Sequence, residues 1–239
     1  MGAPTWPPNP PPLGAPRRSR GAPRIAGAIF DLDGTIADTF AICFATFRNA
    51  LACVQGPALT DAEIQAHFGP SEDGMFERVV PARWEDAFRA YLGEYERHLP
   101  LCAVFPGVAA ALAWLRERAV PLALVTGKSR PTALMSLKQF GLDGLFQPVE
   151  TGSPSGVVKA AAIARVVAGW GVAPREVIYV GDAVSDVRAA HAAGVLAIAA
   201  AWAPTAIAAE LEAERPHALF TDDAAFHAWL AAFLGEGAP

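Results

Sequence analysis

The sequence predicts an α/β protein in which a doubly wound parallel sheet is interrupted, after its first strand, by an inserted all-helical cap. Three observations carry that expectation. From Phe105 onward, apolar runs of a few residues alternate with longer stretches of helical spacing, an order that calls for parallel strands covered by helices on both faces. Residues 38–100, by contrast, hold apolar stripes at helical spacing and no strand pattern. Polar clusters follow directly after the strands, at the carboxyl ends where open α/β sheets gather their ligands.

Taken in order, residues 1–24 contain eight prolines and three glycines without apolar periodicity, and read as a disordered, partly polyproline-like leader. Ile25 to Phe30 is a short apolar strand, and Gly34 allows a sharp turn after it. Phe40, Phe44, Phe47 and Leu51 repeat at helical spacing and describe one amphipathic helix, ended by Gly56-Pro57. Thr60 with Glu63 forms a capping-box pattern for a short second helix, which His67 to Ser71 breaks. Trp84, Phe88, Leu92, Tyr95 and Leu99 make a further stripe closed by Pro100. The expected organisation is therefore a core of 25–37 and 101–239 around a helical cap of 38–100.

Beyond the cap, the pattern gives a helix at Val108 to Arg118, a strand at Leu122 to Val125, and a helix at Pro131 to Phe140 capped by Ser129 and stopped by Gly141. A short strand at Phe146 to Val149, a helix at Val157 to Ala168 and a strand at Val177 to Val180 follow. Next come a helix at Asp186 to Ala193 stopped by Gly194, a strand at Val195 to Ala199, and two terminal helices around a strand at Ala218 to Phe220. No internal repeat is visible.

Composition narrows the class. At 239 residues, 53% of them hydrophobic, the chain can bury a full core, and its alanine-rich runs are too short and weakly apolar to span a bilayer. The net charge of −5 is uneven: residues 1–24 carry Arg17, Arg18, Arg20 and Arg24 and no acid. The remaining 15 basic and 24 acidic residues leave the body at −9, which argues against nucleic acid as the main ligand. Cys43, Cys53 and Cys102 lack paired metal-ligand spacing and are expected as reduced thiols packed in apolar surroundings, consistent with a cytoplasmic protein. No signal-peptide core or membrane span is present, so neither nucleic acid nor membrane is an expected partner.

The chemistry is concentrated in four clusters. Asp31-Leu32-Asp33-Gly34-Thr35 follows the first strand, and on extended backbone its two carboxylates share a face, which is costly without a cation or a proton. Val125-Thr126-Gly127-Lys128, the lone Lys159, and Val180-Gly181-Asp182 with Asp186 follow. Gly127-Lys128-Ser129 imitates the end of a nucleotide-binding P-loop, but Leu122 stands where that motif needs glycine. Lys128 is expected to face the substrate entrance or solvent.

In order and spacing, these clusters resemble the four motifs of the haloacid dehalogenase superfamily over residues 25 to about 222. Phe68-Gly69-Pro70-Ser71, Gly181-Asp182 and the helical cap resemble its phosphoglycolate phosphatase-like branch. The resemblance implies a Rossmann-like core with a mobile helical cap and a Mg²⁺-dependent phosphoric monoester hydrolase. Its substrate would be a small phosphorylated metabolite, phosphoglycolate-like or a sugar phosphate. Asp31 would be the nucleophile that becomes an aspartyl phosphate. Asp33 would be the acid and base, with its backbone carbonyl on the metal. Thr126 and the Gly127 N–H would hold a phosphoryl oxygen, and Lys159 would add positive charge. Asp31 and Asp182 would bind Mg²⁺ through oxygen, with Asp186 orienting a metal-bound water or Lys159, or else serving as a first-turn acid that favours the helix dipole.

Two departures and alternatives belong beside that reading. Ala160 follows Lys159 where many relatives have proline, and the second aspartate, Asp33, is lacking in dehalogenases. The same core residues would serve a β-phosphoglucomutase-like phosphoryl transfer, and a catalytically silent phosphate-binding module is the alternative outside enzymes. Because the core motifs contact only the phosphoryl group and metal, substrate choice is expected in the cap, at His67, Ser71 and Glu72. A monomer or homodimer is expected.

Overall fold

Short runs of apolar residues make strands here because both faces of the sheet are covered. In the computed structural model, which describes residues 25–156 and 158–235, β1 (Gly27–Phe30) is buried along its whole length. The proline-rich leader lies outside the described residues. Four helices follow β1: α1 (Phe40–Cys53), α2 (Asp61–Ala66), α3 (Glu72–Val79) and α4 (Trp84–His98). Then come α5 (Pro106–Glu117), β2 (Leu122–Val125), α6 (Arg130–Gln139), β3 (Val149–Glu150), α7 (Lys159–Trp170) and β4 (Val177–Gly181). The chain closes with α8 (Val184–Ala193), β5 (Leu196–Ala200), α9 (Ala208–Ala213), β6 (Ala218–Phe220) and α10 (Asp223–Gly235).

All six strands are parallel, in the order β3-β2-β1-β4-β5-β6. β1 therefore lies between β2 and β4, where the strand order reverses, and this switch point opens a crevice at the carboxyl ends. The register aligns Phe30 with Leu124 on one side and with Val180 on the other. The residues that follow these positions are Asp31, the Thr126 turn and Asp182, so one crevice collects three of the polar clusters.

The pleat divides each strand between two cores. Ala28, Phe30, Leu122, Leu124, Ile178 and Val180 pack against α5, α6 and α10. Ile29, Ala123, Val125, Val177 and Tyr179 pack against α7 and α8. The helices inserted after β1 bury a third cluster of their own, including Phe47, Leu51, Phe76, Tyr91, Tyr95 and Leu99. Among the described residues, 38–100 contains no strand, and no helix is long and apolar enough to cross a membrane.

Several local expectations need correction. The third strand starts at Val149, not Phe146: Phe146 turns into the core against Phe30, and Pro148, which has no N–H for the ladder, contributes only its carbonyl, to Leu124. Helix α7 begins at Lys159, while Val157 lies outside the described residues. Ser129 occupies the N-cap position of α6 without capping a backbone N–H, and its hydroxyl lies 2.9 Å from the Thr132 hydroxyl. Cys53 is exposed, not packed. The Thr60–Glu63 capping box forms as expected.

Phe226 on α10 is fully buried and meets the rings of Phe30, Trp202, Phe220 and Trp229 at centroid separations of 5.5–6.4 Å. Phe226→Ala would leave a cavity in the core that supports β1, with an expected loss of about 3–5 kcal/mol of unfolding free energy in a denaturant titration.

Candidate active site

The site is built where the β1 ladder ends. The Asp31 N–H donates to the Val180 carbonyl at 2.9 Å, which continues the pairing one residue past β1 and fixes where its side chain leaves the sheet. The Leu32 N–H then donates to Asp31 Oδ1 at 2.8 Å and holds the carboxylate's orientation. On the adjacent strand, the Thr126 N–H donates to the Glu150 carbonyl at 3.1 Å. The tight turn after Asp31 depends on Gly34, whose φ is +69° and whose missing Cβ would stand 2.3 Å from Asp182 Oδ2 and 2.8 Å from the Phe40 ring.

Lys159, at the first turn of α7, reaches across the crevice to Asp31 Oδ2 at 2.7 Å and Asp186 Oδ1 at 2.5 Å. Burial alone would lower its pKa, but the charges of Asp186 and Asp31 outweigh that and hold the ammonium well above its ordinary value. Asp186 also accepts from the Tyr179 hydroxyl at 3.0 Å and from the Ala183 N–H at 3.1 Å. Both of its oxygens are thus engaged by protein donors, which places it as the residue that positions Lys159. Tyr179 escaped sequence reasoning because a tyrosine within an apolar strand reads as core, and its hydroxyl meets Asp186 only after α8 packs on β4.

Asp33 is held from two sides. The Thr39 hydroxyl donates to Oδ1, and Lys128 Nζ lies 3.3 Å from Oδ2. Burial raises the Asp33 pKa, Lys128 and the Thr39 hydroxyl oppose the rise, and the charges of Asp31 and Glu72 add to it; the net direction is upward. Of the two places expected for Lys128, the substrate side and solvent, the structure has it on the cavity wall and out of solvent. It is only 3% exposed, with its ammonium between Asp33 and Glu72 Oε1 (3.2 Å) and 4.5 Å from the centre of the Tyr95 ring. Burial would lower its pKa, but the charges of its neighbours, led by Asp33, keep it well above the ordinary value. Cys43 Sγ, 3.6 Å from Lys128 Nζ, has its thiol pushed up to about 12 by burial.

Glu72 comes from the first turn of α3 and joins the inserted helices to the core. Its carboxylate also accepts from the Ser129 N–H and from the Thr132 hydroxyl at 2.9 Å. Ser71 is buried at the same junction, its N–H donating to the Ser153 carbonyl at 3.1 Å and its hydroxyl to Asp73. His67 is the C-cap of α2. Of the three residues expected to read the substrate, Glu72 lines the cavity between the inserted helices and the sheet, and His67 and Ser71 do not.

That cavity measures about 180 Å³, with Asp31, Asp33, Thr126, Gly127, Lys159 and Asp182 along its core side. Among the described residues, the Gly127 N–H has no protein acceptor and remains available to a ligand. Carboxylate oxygens of Asp31, Asp182 and Asp186 lie within 4.8 Å of one another, a buried, all-oxygen set that could coordinate a divalent cation. The Asp182 pKa is driven well up by burial and then by the charges of Asp186 and Asp31, a cost that a bound cation would relieve. Of the three, Asp31 and Asp182 line the cavity, and Asp186 does not.

This combination defines an α/β enzyme fold with an acidic, lysine-balanced site at its topological switch point. The chain belongs to the haloacid dehalogenase-like hydrolases, whose family model matches residues 28–200. It is similar to the phosphoglycolate phosphatase of Synechococcus elongatus, 35% identical over 179 residues that make up 73% of this chain and 82% of that protein. It is also similar to the tyrosine-protein kinase PtkA of Mycobacterium tuberculosis, 30% identical over 179 residues, 73% of this chain and 61% of that protein. The crystal structure of a predicted phosphoglycolate phosphatase from Haemophilus somnus shares the fold, with a TM-score of 0.72 at 24% identity over 84% of this chain and 96% of the other.

Gly34→Ala tests the close approach on which the site rests. An added methyl would strain the backbone and displace Asp182; the expected outcome is a loss of about 1–3 kcal/mol in unfolding free energy, together with weakened divalent-cation binding by calorimetry.

Proposed function

We propose that this chain is a Mg²⁺-dependent phosphatase that hydrolyses a small phosphate monoester through an aspartyl phosphate on Asp31. The observation that carries the proposal is the convergence at one crevice of Asp31, Thr126 and Asp182 from three adjacent strands, with Lys159 2.7 Å from Asp31.

Asp31 and Asp182, with the Asp33 carbonyl, would hold Mg²⁺, which when bound neutralises phosphoryl charge and aligns the ester with the nucleophile. The Leu32 N–H and Lys159 keep the Asp31 carboxylate in one orientation. The Thr126 hydroxyl, the Gly127 N–H and Lys159 would bind the phosphoryl oxygens as the bond from Asp31 to phosphorus forms and the ester bond breaks. Asp33 delivers its proton to the departing alkoxide. As a carboxylate, it then takes a proton from water, which attacks phosphorus, releases phosphate and regenerates Asp31. The upward direction of the Asp33 pKa favours a residue that can carry that proton. Thr39 and Lys128 orient it.

Chelator should abolish phosphate release and Mg²⁺ restore it, and Asp31→Asn should remove the base-labile acyl phosphate trapped from substrate. Incorporation of phosphate into that variant would place the nucleophile elsewhere.

Asp33→Asn should slow alkyl phosphates by about 10²–10⁴-fold and aryl phosphates far less, because only the poorer leaving group needs the proton in the transition state. Steady-state rates on a matched alkyl and aryl pair measure this, and equal losses on both would contradict the acid role.

A further inference from the structure

The part of the cavity that must hold the leaving group is walled by aromatic rings. Phe40 and Phe44 of α1 and Phe68 after α2 lie nearly parallel to one another, with centroids 6.0–6.3 Å apart and interplanar angles of 11–26°. Phe47, Ile64, Met75 and Tyr91 continue the lining behind them. Phe40 adjoins the catalytic end, since the position a Gly34 Cβ would take is within 2.8 Å of its ring and 2.3 Å of Asp182. Phe68 is 42% exposed at the rim, so its ring is open to a group entering the cavity.

Charge on this side points the same way. The cations among the described lining residues are Lys128 and Lys159. Lys159 is engaged by Asp31 and Asp186, and Lys128 by Asp33 and Glu72. A second anionic group on the substrate would leave water without a cation to receive it and would approach the carboxylates of Glu72 and Asp33. An uncharged apolar or aromatic group would instead gain contact with the rings and keep Lys128 on Asp33.

Building on the phosphatase reading, we propose that the substrates of this chain are phosphate monoesters whose leaving group is uncharged and carries an aromatic or comparably apolar body, seated against Phe40, Phe44 and Phe68. Small esters that bear a carboxylate besides the phosphate are disfavoured. The residues that select the substrate are then Phe44 and Phe68, not the polar side chains of His67 and Ser71.

The test uses the full chain with Mg²⁺ and three alkyl esters, so that intrinsic reactivity stays comparable: 2-phenylethyl phosphate, ethyl phosphate and 2-phosphoglycolate. The expected kcat/KM for the phenylethyl ester exceeds that for ethyl phosphate by at least about tenfold and exceeds that for phosphoglycolate by more. In Phe44→Ala and Phe68→Ala, the phenylethyl-to-ethyl ratio should fall towards one. Because the ratio is taken within each variant, any loss of folded protein cancels. A wild-type preference for phosphoglycolate over the phenylethyl ester, or a ratio unchanged in both variants, would overturn the inference while leaving the phosphatase reading intact. Absence of turnover with all three esters and with an activated aryl phosphate would overturn both.

Discussion

The structure depends on the enforced company of like charges. Asp31, Asp33, Asp182, Asp186 and Glu72 converge on one shielded crevice that contains two lysines. Unit charges 4 Å apart interact by about 4 kcal/mol at the effective dielectric typical of such sites, so neither lysine is ornamental. The cluster follows from the sheet. Parallel pairing of β1 with both β2 and β4 brings the strand ends to one level, and whatever follows them must share the same few ångströms. Lys159 and Lys128 each bridge two carboxylates, and Asp31 with Asp182 still face each other in a way that suits a divalent cation.

The two lysines divide the work. Lys159 is fixed by Asp186, itself held by Tyr179 and the Ala183 N–H, so its ammonium is delivered to Asp31 from a preorganised support. Lys128 balances Asp33 against Glu72, and Glu72 belongs to the inserted helices. The carboxylate proposed to move protons is therefore electrostatically connected to how those helices sit on the core. The Tyr95 hydroxyl, 2.8 Å from Ser136 Oγ, and the Ser71 N–H on Ser153 seat the same helices at two further points.

Helix α1 shows how one stretch of sequence serves two environments. Ile42, Ala50 and Leu51 are buried in the cluster of the inserted helices, Phe40 turns to the cavity, and Phe44 and Phe47 touch both. Apolar residues at helical spacing thus include both packing and lining positions. A single stripe does not separate them, since the helix meets a core on one side and an opening on another. The aromatic wall that results differs in character from the charged end of the same cavity.

Much of the architecture was legible because it is local. Short apolar strands alternating with helical periods, glycine stops such as Gly194, and the Thr60–Glu63 capping box are written in neighbouring residues, and the helix-only run after β1 marked the insertion. The order of Asp31, Thr126, Lys159 and Asp182 along the chain was legible too, since each follows a strand or opens a helix. Partnership was not. That Glu72 reaches Lys128, 56 positions away, that Lys128 is buried between Asp33 and Glu72, that Tyr179 holds Asp186, and that Phe44 and Phe47 both line the cavity and pack on the helical cluster are facts of tertiary geometry. The sequence by itself determined which groups stand at the ends of the strands, because period and turn chemistry act over a few residues. Only the folded chain decided which charges neutralise one another and which rings line the cavity, because those choices rest on how distant elements pack.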